Sequence, residues 1–209
     1  MISLDVGECR VDILPVVNGL VSEAEKVRSA YGGYDAYGAS LGIEALEAIR
    51  CRDSIGVDNV EVSEIDLAYS ERMSYWGEIQ VPSPAFCEIV DLCTADGLGV
   101  IPLDMKDEDF DEAFPKFVSA VEFATVHRLA KRGMKVPLST ASPEETAKDW
   151  DRFISRKKGF AALDRFRERH IANEIIDTVK YRGTLLAVIE VERAEGVAEL
   201  VKEHVKRMS

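Results

Sequence analysis

Carboxylates and arginines that follow apolar runs are the residues of this 209-residue chain best suited to chemistry. Apolar runs of this kind predict buried strands, so the polar residues that follow them would stand at strand ends. An acidic group follows every predicted strand, and an arginine follows the first and the last. The charged residues at these positions are Glu8, Arg10, Glu64, Asp66, Asp104, Glu190, Glu192 and Arg193.

Carboxylates that are brought close together repel one another, so some must be protonated, pair with arginine or share a cation. In one interpretation, Arg10 and Arg193 form an arginine–carboxylate site that binds a small anionic or zwitterionic ligand through bidentate hydrogen bonds. In a second, a hydrolase holds Mg²⁺ or Mn²⁺ in a shell of oxygen atoms and uses water as the nucleophile. Its metal ligands would be Glu8, Glu64, Asp104 and Glu190. In a third interpretation, acidic residues follow the strands only because strands end at the surface. Neither the first nor the third interpretation requires a cofactor.

Other catalytic schemes have little support in the sequence. The three histidines, His127, His170 and His204, fall on predicted helices and lie away from the strand ends. The four cysteines contain no C-x-x-C pair, so buried, reduced thiols are expected. The chain also lacks an H-E-x-x-H metal motif and a phosphate loop of the G-x-x-x-x-G-K type.

Strands that alternate with helices are predicted to position these residues. Strands are predicted over 2–6, 60–65, 98–103 and 185–191. A helix is predicted over 16–27, where apolar residues recur at helical spacing. The alternation indicates an α/β fold, with a mixed or mostly parallel sheet and helices on both faces. Ligands bind beyond the carboxyl ends of strands in such sheets, so residues 7–10 and 188–193 are expected to flank one site.

The organisation along the chain predicts a single domain over 1–209. No shift in composition marks a boundary between two domains. The stretch 107–182 is largely helical and is longer than one crossover connection needs. It is therefore predicted to form a helical cap beside the sheet.

The composition limits the classes of partner. The chain is 46% hydrophobic, so it can bury a core. It is also 31% charged, with a net charge of −12. The acidic balance argues against general nucleic-acid binding and against adhesion to anionic lipid. No apolar run approaches the length needed to cross a bilayer, and the first residues do not form a signal peptide. A cytoplasmic protein without nucleic-acid or membrane partners is expected.

The order of these motifs resembles the TraB family, within the group that includes ChaN-like, Tiki-like and erythromycin-esterase-like proteins. The family pattern opens with a strand and Gly-x-x-His, and Gly7-Glu8-Cys9-Arg10 occupies that place here. It closes with a strand and His-x-x-Gly, matched by Arg193-Ala194-Glu195-Gly196. Between them, the family has a strand that ends in Glu and is followed by an Arg, which Glu64, Asp66 and Arg72 resemble. It then has a strand that ends in Asp, matched by Asp104, and a helix that carries Glu-Arg, matched by Glu168-Arg169.

The resemblance implies where the site lies more than what it does. Members resembling Tiki are thought to be metal-dependent proteases that use the two histidines, which are Arg10 and Arg193 here. Arginine cannot ligate a metal or act as a base near neutral pH, because its pKa exceeds about 12. The residues that survive from the family site are Glu8, Glu64, Arg72, Asp104 and Glu168. The segment 31–57 is longer than the family pattern requires and is interpreted as an insertion.

Three functions are consistent with the sequence. The first is an altered TraB-like site that binds a small anionic or zwitterionic ligand. The second is a metal-dependent hydrolase of the peptidase or esterase type. The third is a non-catalytic scaffold or homo-oligomer, in which Tyr75 and Trp76 form part of a partner surface.

Overall fold

A five-stranded mixed sheet forms the centre of the protein in the computed structural model, which describes residues 1–52 and 63–208. The strands are β1 (Ile2–Val6), β2 (Cys9–Val16), β3 (Ala36–Ala39), β4 (Val100–Pro102) and β5 (Thr184–Glu190). Their order is β1-β2-β5-β3-β4, with β1 antiparallel to β2 and the other four strands parallel. The predicted α/β fold with a mostly parallel sheet is confirmed.

Helices connect the strands and surround the sheet. They are α1 (Glu23–Ala30), α2 (Ile43–Arg50), α3 (Glu64–Met73), α4 (Pro84–Ala95), α5 (Asp107–Phe117), α6 (Ala120–Phe123), α7 (Val126–Gly133), α8 (Pro143–Ile154), α9 (Lys158–Val179) and α10 (Val191–Met208). The start of α8 shows why these residues form helices. The Ser142 side chain accepts a hydrogen bond from the Glu145 backbone N–H, and Pro143 occupies the first helical turn, where no N–H is needed.

The strand β5 carries the core on both of its faces. Residues 185–189 are completely buried, because alternate side chains point to opposite faces and helices cover each face. Leu185, Ala187 and Ile189 pack against α9 and α10. Leu186 and Val188 pack against α1, α2 and α4. The prediction of a sheet with helices on both faces is therefore confirmed.

Three predicted elements differ from the structure. The helix predicted over 16–27 begins only at Glu23, because the preceding apolar residues continue β2 as far as Val16. Of the strand predicted over 60–65, Glu64 and Ile65 lie in α3, and 60–62 lie outside the described residues. The interpretation of 31–57 as an insertion is wrong for its described part, because β3 pairs there with both β5 and β4 inside the sheet.

The largely helical stretch 107–182 has two roles. Its last helix, α9, covers one face of the sheet through Ile171, Ile175 and Val179. The shorter α7 and α8 pack against α3, where Ala130, Trp150 and Ala68 form a separate apolar cluster. Within the described part of the chain, no helix combines the length and the apolar character that crossing a membrane requires.

Candidate functional site

A cleft lies at the carboxyl edge of the parallel strands, the edge where α/β sheets bind ligands. It consists of two adjoining cavities with volumes of about 400 Å³ and about 210 Å³. Both cavities are lined by Asn18, Asp66, Tyr69 and Glu190. Asn18 follows β2 and Glu190 ends β5, whereas the other two residues come from α3. The two cavities therefore open onto the same four side chains.

The larger cavity, which we call the apolar compartment, is bounded mainly by hydrocarbon. Leu41, Ala45 and Ile49 line it from α2 and the residues before that helix. Ile79 and Phe86 line it from α4 and from the segment that connects α3 to α4. Since these elements also cover one face of the sheet, the compartment is an extension of the core that reaches the sheet edge.

The smaller cavity, which we call the charged compartment, lies where α3, α8, α9 and α10 meet. Five carboxylates and two arginines of the described residues line it: Asp66, Asp151, Asp164, Glu190, Glu192, Arg167 and Arg193. Four apolar side chains complete the wall: Ile65, Trp150, Ile154 and Phe160. The excess of carboxylates makes this compartment acidic.

Arg193 is a deeply buried charge of the cleft. Only 11% of its side chain is exposed, and its Nη2 atom lies 2.8 Å from Asp164 Oδ1 and 3.9 Å from Asp151 Oδ1. Burial opposes the charge of the guanidinium, but the nearby carboxylates of Asp164, Glu190 and Asp151 hold the pKa of Arg193 above its usual value. The arginine is therefore charged, and its charge is matched within the protein.

Two carboxyl groups of the cleft titrate near neutral pH. Burial raises the pKa of Glu192 to about 7, and the neighbouring Glu190 adds to the rise. Burial likewise raises the pKa of Asp151 to about 6, although Arg193 partly opposes the change. Groups with such pKa values can gain or lose a proton at physiological pH.

Two polar atoms of the cleft are buried without a hydrogen-bond partner. They are the Tyr69 hydroxyl and Glu192 Oε2, and among the described residues only Asp12 Oδ1, at the opposite edge of the sheet, shares this property. Buried polar groups are ordinarily paired, because an unpaired one loses its bonds to water without replacement. The Tyr69 hydroxyl can donate and accept a hydrogen bond, and Glu192 Oε2 can accept one. These two atoms therefore mark positions where a ligand would form hydrogen bonds.

The local sequence explains how α3 presents its polar side chains. Asp66, Tyr69 and Ser70 are spaced by three and four residues, which places them on one face of a helix. All three line the apolar compartment. The Ser63 hydroxyl starts the helix by accepting a hydrogen bond from the Asp66 backbone N–H. This helix supplies one wall of both compartments.

Glu190 is held by a serine from the neighbouring strand. The Ser40 hydroxyl donates to Glu190 Oε2, and Ser40 Oγ accepts from the Glu190 backbone N–H at 3.3 Å. Ser40 follows β3 and lies within Gly38-Ala39-Ser40-Leu41-Gly42, which has the G-x-S-x-G spacing of a nucleophile elbow. However, Ser40 is buried, lines neither cavity and has no positive φ angle. We therefore assign it the role of positioning the Glu190 carboxylate.

The expectation that residues 7–10 share a site with Arg193 is wrong. Gly7 and Glu8 form the hairpin turn between β1 and β2, so the end of β1 lies at the amino edge of the parallel strands. Arg10 pairs in register with Thr184, the first residue of β5, and its Nη2 lies 2.8 Å from Asp12 Oδ2. Arg193 follows the other end of β5, about 20 Å away for six residues of strand.

Two other expected site residues lie outside the cleft. Glu64 is on the exposed side of α3, with Oε1 2.6 Å from His127 Nδ1. Arg72 donates through Nη1 to the Met134 carbonyl at 2.8 Å and through Nη2 to the Val136 carbonyl at 3.0 Å. It ties α3 to the segment that follows α7, which is a structural role.

Asp104 and Glu168 lie behind the wall of the charged compartment. Asp104 accepts from Arg167 Nε at 3.0 Å and from the Met105 backbone N–H at 2.8 Å, and it thereby holds Arg167. Glu168 faces α10 at Gly196, and burial raises the pKa of its carboxyl group. Of the charged residues expected at the strand ends, Asp66, Glu190, Glu192 and Arg193 thus line the cleft, and Asp104 and Glu168 support it from behind.

The contact between Glu168 and Gly196 leads to a testable expectation. A Cβ at position 196 would lie 2.7 Å from Glu168 Cδ and would push aside the end of this flexible side chain, so Gly196→Ala should destabilise the protein by about 1 kcal/mol at most. Urea denaturation measures the loss. In a Glu168→Ala background, the same substitution should be neutral or stabilising, because alanine is a better helix former than glycine. An equal loss in both backgrounds would contradict the contact.

The residues expected to ligate a metal are not brought together. Glu8 is at the opposite edge of the sheet, Glu64 is bound to His127, and Asp104 is bound to Arg167. Over residues 1–52 and 63–208, no three His, Cys, Asp or Glu side chains are arranged to hold a metal ion. The donor set expected for Mg²⁺ or Mn²⁺ therefore does not fit the geometry of this site.

The sequence did not predict several residues of the cleft. Tyr69, Asp151, Asp164 and Arg167 lie within helices, and no local pattern shows that helix packing brings them to a strand end. Asn18 had a usable signal, because Asn-Gly closes the apolar run of β2. Ser40 had such a signal in its G-x-S-x-G spacing.

The two aromatic residues expected to form a partner surface differ in exposure. Tyr75 is 72% exposed, whereas Trp76 is half-buried and donates through Nε1 to Thr146 at 2.8 Å.

Comparison with known proteins adds no assignment to this geometry. No protein-family model, no curated protein and no solved structure matches the chain.

Proposed function

We propose that this protein binds a small molecule in the cleft, with a polar group in the charged compartment and an apolar part in the apolar compartment. The observation that carries this proposal is that the two cavities share Asn18, Asp66, Tyr69 and Glu190, so one molecule can contact both. A volume of about 400 Å³ for the apolar compartment falls within the range of small-molecule pockets.

The charges of the cleft favour a zwitterionic or cationic ligand over a wholly anionic one. Arg193 is already matched by Asp164, and Arg167 is already matched by Asp104. An added anion would meet the remaining carboxylates of Glu190 and Glu192, and like charges in a buried site repel strongly. A zwitterion can avoid this by directing its positive end at the carboxylates.

The proposal retains a distant relationship to TraB proteins. In this proposal the altered TraB-like site includes Glu168, Arg193 and Gly196, which carry the later part of that resemblance and lie in or directly behind the cleft. Gly7-Glu8-Cys9-Arg10 lies at the opposite edge and adds no support. The relationship therefore depends on the second half of the chain.

Filling the apolar compartment tests the proposal. Ala45 lines this compartment, so Ala45→Trp is expected to abolish the stabilisation that a bound metabolite gives in a thermal-shift screen. A ligand at about 100 times its Kd adds about 2.7 kcal/mol to wild-type stability. Ala95→Trp, at an exposed position of α4, is the matched control. Ligands that stabilise wild type and Ala45→Trp equally would place their binding site elsewhere.

A metal-free hydrolase is the second candidate, and the titration of Glu192 and Asp151 near neutral pH favours it. Efficient general acid–base catalysis needs a group whose pKa lies close to the working pH. Catalysis by Glu192 would be supported if wild type hydrolysed ester or amide substrates and Glu192→Gln lost about 100-fold in kcat. Equal rates for the two proteins would exclude Glu192 as the catalytic group.

A further inference from the structure

We propose that the ligand of the cleft is an organic cation, a protonated amine with an apolar substituent, whose ammonium group binds between Glu190, Glu192 and Tyr69. This inference rests on the proposed small-molecule function and specifies its ligand class. The apolar substituent would occupy the space bounded by Leu41, Ala45, Ile49, Ile79 and Phe86.

The pairing of charges leaves carboxylates available to a cation. Of the five carboxylates that line the charged compartment, Asp164 is matched by Arg193, and Asp151 lies near the same guanidinium. Among the described residues, the Ser40 hydroxyl is the one side chain that donates to the Glu190 carboxylate, and none donates to Glu192 Oε2. Arg193 attracts both glutamates, but no basic group of the described residues forms an ion pair with either of them.

The unpaired atoms match the donors of an ammonium group. A primary ammonium has three N–H donors and no acceptor. Glu192 Oε2 and the Tyr69 hydroxyl oxygen are buried acceptors that form no hydrogen bond with any of the described residues. With the Glu190 carboxylate, they offer one acceptor for each N–H, and each bond to a buried carboxylate would be strengthened by charge.

Aromatic groups make the same site suitable for an organic cation. Tyr69 and Trp150 both line the charged compartment, and their ring centroids are 6.0 Å apart. The faces of such rings attract ammonium groups. A hard metal ion instead needs several oxygen ligands, and no three candidate ligand side chains in the described ranges are arranged to hold one.

The inference predicts a particular dependence on pH. Burial raises the pKa of Glu192 to about 7, so its ionised fraction rises from about one tenth at pH 6 to about nine tenths at pH 8. Because the ionised form binds the cation, affinity should increase up to about tenfold over this range. The charged and titratable groups around Glu192 are Asp66 and Tyr69 on α3, Asp151 on α8, Asp164, Arg167 and Glu168 on α9, Glu190 on β5 and Arg193 on α10.

Calorimetric titration with three probes of equal length tests the inference. Hexylamine should bind wild type at pH 8, whereas hexanol and hexanoate at the same concentrations should bind at least about tenfold more weakly. Glu192→Gln and Tyr69→Phe should each weaken hexylamine binding, the first by about tenfold or more. Glu199→Gln and Tyr181→Phe, at exposed positions, are the matched controls and should leave the Kd unchanged.

The outcomes separate this inference from the function on which it rests. In one outcome, the protein binds hexanoate, or Mg²⁺ or Mn²⁺ alone, more tightly than hexylamine, and Ala45→Trp or Glu190→Gln abolishes that binding. This result would contradict an amine as the ligand and would keep the cleft as a binding site. Hexylamine binding that is equal in wild type, Glu192→Gln and Tyr69→Phe would also overturn the inference. If no compound of a broad metabolite screen binds in a way that Ala45→Trp weakens, the proposed function fails together with the inference.

Discussion

Replacing Arg193 with methionine should lower the free energy of unfolding by about 3 to 5 kcal/mol at pH 7. The guanidinium is almost completely buried beside Asp164 and Asp151, so its removal leaves buried carboxylates without a matching charge. Methionine keeps a similar volume of hydrocarbon, and the loss therefore reports charge more than packing. Urea denaturation followed by circular dichroism gives the value.

Arg28→Met is the matched control for this substitution. Arg28 is 54% exposed and pairs with Glu25 and, through two hydrogen bonds, with Glu88, so its replacement should cost about 1 kcal/mol, less than the removal of a buried charge. If Arg193→Met and Arg28→Met lost equal stability, the buried position of Arg193 in the charged compartment would be contradicted.

Replacing Glu192 with glutamine is expected to stabilise the protein by about 3 kcal/mol at pH 8 and to have little effect at pH 4. Burial raises the pKa of Glu192 to about 7 in the folded state, above the ordinary value of 4.5. The folded protein therefore binds more protons than the unfolded chain between these values, and stability falls as the pH rises from 4.5 through 7. Glutamine has no charge to bury, so it escapes this loss.

Denaturation at pH 4, 6 and 8 measures this dependence. The stability difference between Glu192→Gln and wild type should grow with pH and level off above pH 7. Glu199→Gln, at an exposed position of the same helix, should change stability by less than about 0.5 kcal/mol at each pH. A difference between Glu192→Gln and wild type that does not change with pH would contradict the burial of an ionisable Glu192.

A carboxylate that lowers stability at neutral pH suggests a role beyond folding. Strongly shifted pKa values and stability costs are concentrated at functional sites, where substrates or ligands supply the missing partner. Glu192 and the Tyr69 hydroxyl both fit this description, since both are buried and unpaired in one cleft. A cation bound between them would offset the free energy of folding that the unliganded protein loses by burying these groups.

The sequence predicted the part of the site that depends on a buried strand. The run that forms β5 is apolar on both faces, so its central position, its parallel partners and the location of Glu190 and Arg193 at its carboxyl edge could be inferred from pattern alone. The start of α8 has an equally clear signal in the sequence, because Ser142-Pro143 combines a helix cap with a residue that needs no N–H.

The sequence misled where one pattern suits two structures. The apolar residues of 16–27 recur at spacings that fit a helix, but Val16 belongs to β2 and the helix begins only at Glu23. The strand β2 was not predicted, and the short hairpin that joins it to β1 reverses the chain. That reversal places Glu8 and Arg10 at the amino edge of the parallel strands. Strand direction depends on pairing between distant segments, and an apolar pattern carries no information about it. The same limit applies to Tyr69, Asp151 and Asp164, which reach the cleft through helix packing.

Calorimetric titration of hexylamine at pH 8 into wild type and Ala45→Trp is the most direct test that one molecule occupies both compartments. The structure predicts a single binding site in wild type and no measurable binding in Ala45→Trp, because tryptophan would fill the space of the apolar substituent. Ala95→Trp should bind like wild type. Equal binding by wild type and Ala45→Trp would contradict the cleft as the ligand site.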